Sequence, residues 1–167
     1  YIIPIWKRSK AEELSKSLQS LVNESSLIGE IIIVFDGNES FFKKLLVPNI
    51  LSEKIIYVYC GINKGPGIAR NKGAIFAKNK YLFFLDSGDE SCSYRVSEQI
   101  KYLKFNDVTF GNIVEILPSG KRRIKKGASS KTKAKRILPY RNPFNNVTIA
   151  INKKAFLRIG GYQNLRV

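Results

Sequence analysis

Continuous apolar runs recur along the first part of the chain, separated by segments of helical periodicity. The runs have the length of strands and cover residues 1–6, 30–35, 54–59 and 81–85. Apolar runs without polar alternation are typical of strands buried on both faces, as in parallel sheets. The alternation of strand and helix in units of about 25 residues predicts a Rossmann-like α/β sheet.

The segment after the first run has a helical pattern. Leu14, Leu18 and Leu21 fall on one face of a helix with 3.6 residues per turn. The sequence Ser-Lys-Ala-Glu at 9–12 is a capping-box pattern, which predicts a helix start at Ser9.

Two further segments also predict helices. Residues 67–79 form the first, with Ile68, Ile75 and Phe76 roughly on one side, and residues 94–105 form an amphipathic second.

After Asn106 the elements become shorter. Residues 108–117 predict a strand, and a Pro-Ser-Gly turn then starts a basic hairpin or loop over 118–136. Residues 145–151 predict another strand, and Asn152 is placed to cap a short helix.

Acidic residues stand where two apolar runs end. Asp36 follows the second run, and Asp86 and Asp89 follow the fourth, with Gly88 between them. Ligands bind at the carboxyl ends of the strands in such sheets, and a divalent cation on a diphosphate needs hard oxygen ligands on a stiff support. Glycine permits a sharp turn there. Asp and Gly are also common turn and capping residues, and that structural alternative stays open for all three acids.

The segment 63–73, "NKGPGIARNKG", combines a stiff loop with the start of a helix. Lys64, Arg70 and Lys72 near a helix start suit an anionic nucleotide. The alternative is a surface loop with a solvated basic helix face. The segment is not a P-loop, since it lacks the Gly-Lys-Ser/Thr ending.

Composition narrows the chemistry. A length of 167 residues suits one domain, and no window approaches the ~20 apolar residues of a membrane span. The chain has no initiator Met or signal-like leader and begins inside a strand-like run, so we expect it to be part of a longer product. Cys60 and Cys92 are far apart, which favours reduced thiols in a cytoplasmic protein. The absence of His excludes Ser-His-Asp triads and leaves oxygen-bound metals such as Mg²⁺ or Mn²⁺.

The net charge of +16 is unevenly distributed. Residues 1–120 hold 15 Lys or Arg against 13 Asp or Glu, whereas residues 121–167 hold 14 Lys or Arg and no acid. This asymmetry indicates an anionic partner for the second part: a phosphate-bearing substrate, a membrane surface or nucleic acid.

In order along the chain, these motifs resemble those of glycosyltransferase family 2, the inverting GT-A enzymes. "YIIPIW" is similar to the family's first strand, "EIIIVFDGNES" to its second, and "FLDSGDE" to its Leu-Asp-x-Asp-Asp metal motif. Gly160-Gly161-Tyr162 matches its Gly-Gly-Tyr/Phe segment. The family pattern N-x-G-x-G-x-A-R-N-x-G is matched at Asn63, Gly65, Gly67, Ala69, Arg70, Asn71 and Gly73.

The resemblance implies a GT-A fold, a mostly parallel mixed sheet flanked by helices, in one domain over 1–167. Residues 1–105 would be the nucleotide-binding half, and 106–167 the start of the acceptor-binding half. Asp36 would hold the base of a UDP-sugar, Arg70 would pair with the nucleotide, and Asp89 would bind Mn²⁺ or Mg²⁺. The implied nucleotide-binding residues are Pro4, Asp36, Asn63, Gly67, Arg70 and Asp86, and the implied metal ligands are Asp86 and Asp89.

Two departures from the family pattern affect the implied chemistry. Gly88 replaces the middle acid of the metal motif, which should weaken metal binding. The family's catalytic base lies beyond the Gly-Gly-Tyr segment, and no acid follows Glu115, so the base is expected beyond Val167.

The implied function is transfer of a sugar to a saccharide or lipid-linked acceptor in bacterial surface polysaccharide biosynthesis. We expect a cytoplasmic protein, with peripheral contact between residues 121–136 and an anionic membrane as one option. The alternatives are a nucleic-acid-binding module and a nucleotidyltransferase. Against the first, Tyr57–Tyr59 and residues 81–84 look like core rather than a stacking platform, so we expect no nucleic-acid partner. Against the second, no glycine-rich loop follows the first strand.

Overall fold

The computed structural model describes residues 1–37, 45–61 and 63–163. Its strands are β1 (Ile2–Trp6), β2 (Ile31–Asp36), β3 (Ile55–Tyr59), β4 (Tyr81–Phe83), β5 (Val108–Thr109), β6 (Ile113–Ile116), β7 (Arg122–Lys125) and β8 (Ala150–Asn152). Its α-helices are α1 (Ala11–Gln19), α2 (Asn49–Ser52), α3 (Pro66–Phe76), α4 (Arg95–Leu103), α5 (Lys131–Ile137) and α6 (Lys153–Arg158). The predicted α/β architecture is confirmed.

Two three-stranded sheets form the centre. β1, β2 and β3 pair in that order and run parallel, with Ile3 opposite Ile33 and Ile33 opposite Tyr57. β4, β8 and β5 pair antiparallel, so that Thr109 lies opposite Ala150. Every residue of β2 is buried, because β2 lies between two strands and is covered on both faces.

A single parallel bridge between Ile2 and Phe84 joins the two sheets. The Leu85 N–H donates to the Ile2 carbonyl at 3.2 Å, and the next bond of the ladder would need an N–H at Pro4. Proline has none, so the pairing of β1 with the β4 segment stops there. The chain therefore leaves the sheet one residue before Asp86.

Helix α1 starts later than the capping-box pattern predicted. It begins at Ala11 with Lys10 at the N-cap, and no side chain caps it. The Ser9 hydroxyl instead accepts a hydrogen bond from the Trp6 N–H at 3.2 Å, closing the turn out of β1. The predicted apolar face is confirmed, since Leu14, Leu18 and Leu21 are all buried.

Helix α3 packs through a different face from the predicted one. Ile75 and Phe76 are exposed, and the buried positions are Ala69, Arg70, Gly73 and Ala74. A Cβ on Gly73 would come within 2.6 Å of Ile2 Cγ2. The helix lies so close to the sheet that only small residues fit between them, and this contact cannot be read from hydrophobicity.

Strand β3 is not buried on both faces as its apolar run predicted. It ends the order of the parallel sheet within the described residues, and Tyr57 and Tyr59 are 40% and 44% exposed. The interpretation of these tyrosines as core residues was therefore wrong. It was right for residues 82–84, which are buried.

The predicted hairpin is present as β6 and β7, closed by a bond from the Gly120 N–H to the Leu117 carbonyl at 2.8 Å. The strand predicted over 108–117 is interrupted between β5 and β6. The hairpin or loop predicted over 118–136 also contains most of α5, a helix that was not predicted and that begins with the Ser130 hydroxyl accepting from the Lys133 N–H. Serine at an N-cap stabilises a helix that propensity alone would not form.

The last predicted strand is shorter than expected, because Asn146–Thr148 form a 3₁₀ helix before β8. Asn152 caps α6 as predicted, accepting from the Lys154 N–H at 3.0 Å. Cys60 and Cys92 are free thiols. None of the helices in the described ranges combines the length and apolar character needed to cross a bilayer.

Candidate functional site

Arg70 and Asp86 meet at the carboxyl edge of the sheet. Arg70 lies on α3 and is 4% exposed, and its Nη2 donates to Asp86 Oδ1. The Asp86 side chain is 42% exposed, so one side of the pair faces solvent. Arg70 Nε is buried and has no hydrogen-bond partner within the described part of the chain. A buried guanidinium thus supports a carboxylate that a ligand can reach.

Tyr162 forms the other wall around Arg70. The guanidinium carbon lies 5.6 Å from the centre of the Tyr162 ring, within cation–π range. The ring packs against Phe84 and Phe156 at centroid distances of 5.8 and 5.7 Å. Burial raises the pKa of the Tyr162 phenol, which therefore stays neutral near pH 7.

Asn71 fixes Tyr162 in this position, although it was not among the predicted site residues. Its Nδ2 donates to the Tyr162 carbonyl at 2.7 Å, and its Oδ1 accepts from the Tyr162 N–H at 2.8 Å. Gly161 has a φ of +68°, and a Cβ there would collide with the Asn71 amide. Asn71 and the Gly160-Gly161-Tyr162 segment are far apart in the sequence, but they form one structural unit.

Asp36 anchors the loop that leads into α3. The residue is 2% exposed, and its two carboxylate oxygens accept from the Lys64 and Gly65 N–H groups at 2.8 Å each. Asp36 therefore positions the loop, and its contact with a nucleobase stays a prediction. Residues 38–40 of the same motif lie outside the described residues.

The other predicted nucleotide-binding residues differ in exposure. Asn63 is exposed, and its Oδ1 accepts from the Gly65 N–H. Gly67 lies against Tyr162, where an added Cβ would come within 3.1 Å of the Tyr162 Cβ. Pro4 is buried in β1. Their roles toward a nucleotide stay predictions.

The turn that carries Asp86 and Asp89 is tied to α1. The Asp89 N–H donates to the Asp86 carbonyl at 3.0 Å, and Gly88 has a φ of +100°, as the expected sharp turn requires. The Gly88 N–H donates to the hydroxyl of the buried Ser17, and the Ser91 N–H to that of Ser20. These serines were missed, because a serine in a helix or at its end carries no signal of a long-range contact.

Asp89 is exposed, and its pKa is raised, first by partial desolvation of its carboxyl and then by the negative charge of Asp86. The positive charge of Arg95 opposes this rise. No group of three or more Asp, Glu, Cys or His side chains suited to a metal lies within the described residues. Two carboxylates nevertheless fit Mg²⁺ or Mn²⁺, which commonly take one or two carboxylates, water and substrate phosphates.

Arg95 is a second, partly buried cation near this turn. It donates to the Phe84 carbonyl at 3.0 Å and to Gln99 Oε1 at 3.0 Å, and desolvation lowers its pKa. It links the last residues before Asp86 to α4. No local pattern signals this role, since Arg95 occupies the first position of an amphipathic helix.

Beside Asp86 lies a cavity of about 760 Å³. Its walls come from the β6–β7 hairpin, α5 and residues 141–146, and they carry five Lys or Arg side chains. Asp86 lines this cavity and also pairs with Arg70. Its carboxylate therefore lies between the sheet edge and the basic cavity.

Comparison with known proteins identifies glycosyltransferases, both in the family model and in the names of the relatives. The family model described as "Glycosyl transferase family 2" matches residues 1–165. Together with the parallel sheet flanked by helices, this confirms the predicted GT-A fold.

Two relatives match nearly the whole chain. The amylovoran biosynthesis glycosyltransferase AmsE of Erwinia amylovora is 25% identical over 98% of this chain and 63% of its own length. An uncharacterized glycosyltransferase of Haemophilus influenzae is 24% identical over 99% of this chain and 64% of its own length. The chain thus spans less than two thirds of these relatives.

A Bacillus subtilis glycosyltransferase is 28% identical over 58% of this chain and 39% of its own length. It is named for teichuronic acid biosynthesis, an assignment that is itself provisional.

Proposed function

This chain belongs to glycosyltransferase family 2, and from that premise we propose that its protein transfers a sugar from a nucleotide-diphosphate donor to a saccharide. The donor in this proposal is a UDP-sugar, and transfer inverts the anomeric carbon. The observation that carries the proposal is the buried Arg70 paired with the reachable Asp86 at the sheet edge. The named roles of two relatives in amylovoran and teichuronic acid biosynthesis support a surface polysaccharide as the product.

In this proposal the sheet edge binds the nucleotide. Pro4, Asn63 and Gly67 surround it, and Asp36 accepts from the base while holding the loop in place. Arg70 places positive charge beneath the pyrophosphate and holds Asp86 in place through their ion pair. The rigid support from Asn71 and Tyr162 holds these groups in position before the donor arrives, which lowers the cost of organising the site.

Asp86 and Asp89 would hold Mg²⁺ or Mn²⁺, whose charge stabilises the diphosphate as it leaves. Asp86 offers the oxygen not committed to Arg70, and the turn through Gly88 presents Asp89 to solvent. We assign no general base to this chain, because no acidic residue follows Glu115.

Titration of UDP into the full-length protein, with and without Mn²⁺, tests this proposal. We expect Mn²⁺ to strengthen UDP binding and Asp89→Asn to weaken the Mn²⁺-dependent binding by about 10-fold or more, as for loss of a metal-site group. Glu90→Gln is the matched control, since it removes the adjacent exposed acid. Equal effects of the two substitutions, or UDP binding that ignores Mn²⁺, would remove Asp89 from the site.

A thermal-shift survey of nucleotide sugars would then identify the donor. A donor that binds stabilises the folded protein, so the melting temperature rises with ligand concentration. If none of the nucleotide sugars raised the melting temperature, the proposed transfer reaction itself would be contradicted.

A further inference from the structure

The cavity beside Asp86 carries a surplus of positive charge. Its lining cations are Arg123, Lys125, Lys126, Lys133 and Arg141. Glu115 balances two of them, accepting from Lys125 Nζ at 2.6 Å and from Arg123 Nε at 2.9 Å. These two hydrogen bonds also lower the pKa of Glu115, so it remains ionised near pH 7.

The remaining three cations have no such partner. Lys126, Lys133 and Arg141 make no ion pair with any acid within residues 1–37, 45–61 and 63–163. The one acid in the cavity wall, Asp86, already pairs with Arg70. All three are exposed to solvent at this open cavity, and together they form a surplus of about three positive charges that attracts anions.

The wall that presents these cations is held by specific contacts. The Ala128 N–H donates to the Pro143 carbonyl at 3.0 Å, and Ala128 is buried. The Gly127 N–H donates to Asn112 Oδ1 at 3.2 Å, and the rings of Phe110 and Phe144 pack together beside it. The segment between the hairpin and α5 is therefore docked onto residues 143–144.

The basic run 121–136 divides into two sets by direction. Arg123 and Lys125 alternate along β7 with Arg122, which does not line the cavity, as strand geometry requires. On α5, Lys133 and Ile137 line the cavity one turn apart, whereas Lys131, Lys135 and Arg136 do not. Only one set of the cations in this run thus lines the cavity that Asp86 also lines.

We propose that this cavity binds a phosphate or diphosphate group carried by the acceptor saccharide. A diphosphate supplies two or more negative charges and several hard oxygens, which match three unpaired cations better than a single carboxylate does. The volume of about 760 Å³ leaves room for a sugar beside that group, and Asn142, Asn145 and Asn146 offer amides to its hydroxyls. Calling this ligand the acceptor rests on the proposed function. In that function the donor binds on the sheet side of Asp86, and the cavity lies on its other side.

Two triple substitutions of equal charge test the proposal in the full-length protein. The cavity variant is Lys126→Ala, Lys133→Ala and Arg141→Ala. The outer variant is Lys121→Ala, Arg122→Ala and Lys135→Ala, none of which lines the cavity. Circular dichroism checks that both variants fold.

The probes are glucose 1-phosphate, prenyl-diphosphate-linked glucose with a short soluble chain, and methyl glucoside, each titrated in EDTA to keep metal ions away. We expect both phosphorylated probes to bind more tightly than the neutral glucoside. The cavity variant should lose about 10-fold or more of this affinity, and the outer variant less than about twofold. Tighter binding of the prenyl-linked probe than of glucose linked through a diphosphate to a methyl group would identify a lipid-linked source, and equal binding of the two a free sugar phosphate.

Vesicles of phosphatidylglycerol separate this proposal from simple attraction to a membrane surface. If both triple variants weaken binding of the soluble probes and of vesicles equally, the charge acts as a diffuse surface and the cavity proposal is overturned. Equal affinity for the phosphorylated and neutral glucosides would overturn it too.

UDP titration with Mn²⁺ distinguishes the two proposals. The cavity variant should bind UDP as the unaltered protein does, because its substitutions lie outside the predicted nucleotide site. Binding of phosphorylated probes without any UDP binding would contradict the proposed function and leave the cavity as a phosphosaccharide site. UDP binding without probe binding would overturn only the cavity proposal.

Discussion

A buried arginine needs a partner for its charge, and Arg70 has Asp86 on one side and the Tyr162 ring on the other. The ring is held in turn by both amide atoms of Asn71. Position 71 therefore acts on the site through the backbone of a residue 91 positions away.

Replacing Asn71 by Ala should lower the free energy of unfolding by about 1–3 kcal/mol, because two hydrogen bonds are lost at about 0.5–1.5 kcal/mol each. Urea denaturation measures this change. Asn106→Ala is the control, since it removes one exposed bond to the Tyr102 carbonyl and should change stability by about 0.5 kcal/mol or less. Equal losses in the two variants would contradict the role given to Asn71.

At the residue scale, the sequence predicted that Asp36 and Asp86 follow strands and that Arg70 lies near a helix start, because these are local patterns. Their roles toward a nucleotide stay predictions. Sequence reasoning could not find Asn71 or Arg95 as supporting groups. Asn71 donates to the backbone carbonyl of Tyr162, and Arg95 to that of Phe84. Because every residue has a backbone carbonyl, the sequence does not show which one a side chain will contact.

At the scale of elements, α3 shows how close packing overrides hydrophobicity. Its exposed face carries Ile75 and Phe76, while its buried face holds Ala69, Gly73 and Ala74. Small residues let the helix axis approach β1 and β2, and this approach brings Arg70 to the level of Asp86.

Gly73→Ala tests this packing. Alanine favours a helix over glycine by about 1 kcal/mol, but forcing a methyl group into a filled core costs about 1–3 kcal/mol. We expect a net loss of up to ~2 kcal/mol, since the new Cβ would lie 2.6 Å from Ile2 Cγ2 and 3.0 Å from Val34 Cγ2.

Ile75→Ala on the same helix should cost about 0.5 kcal/mol or less, because Ile75 is 66% exposed. If thermal denaturation showed a larger loss for Ile75→Ala than for Gly73→Ala, the face predicted from the sequence would be the packed one after all.

The element types and their order could be predicted because periodicity is a local property. The errors concern properties that depend on neighbours: the outer position of β3, the start of α1 and the packed face of α3. Helix α5 was missed because the composition of the basic stretch is polar, whereas the Ser130 cap starts a helix there.

At the scale of the whole molecule, Phe84 connects the two sheets. It pairs with Ile2 of β1 and packs on Phe156 and Tyr162, which follow β8. It is fully buried in a cluster that includes residues from both sheets. We infer that the described parts of the chain unfold together.

Phe84→Ala should lower the free energy of unfolding by about 3–5 kcal/mol, as for other large-to-small core substitutions. Trp6, the chain's single tryptophan, reports on β1 by fluorescence, and far-UV circular dichroism reports on the whole fold. The two transitions should shift together.

Phe105→Ala is the matched control, because Phe105 is 87% exposed and its loss should change stability little. Separate transitions for the two probes in Phe84→Ala would contradict the expected joint unfolding. Separate transitions in the unaltered protein would contradict it.

The register of β5 against β8 has a consequence for how this architecture diversifies. Thr109 and Ala150 are direct neighbours, so the forty residues between them leave and rejoin the sheet at one point. Grafting the corresponding stretch from a homologue should therefore give a folded chimera. Under the function proposed above, that chimera keeps its donor preference and takes a new recipient.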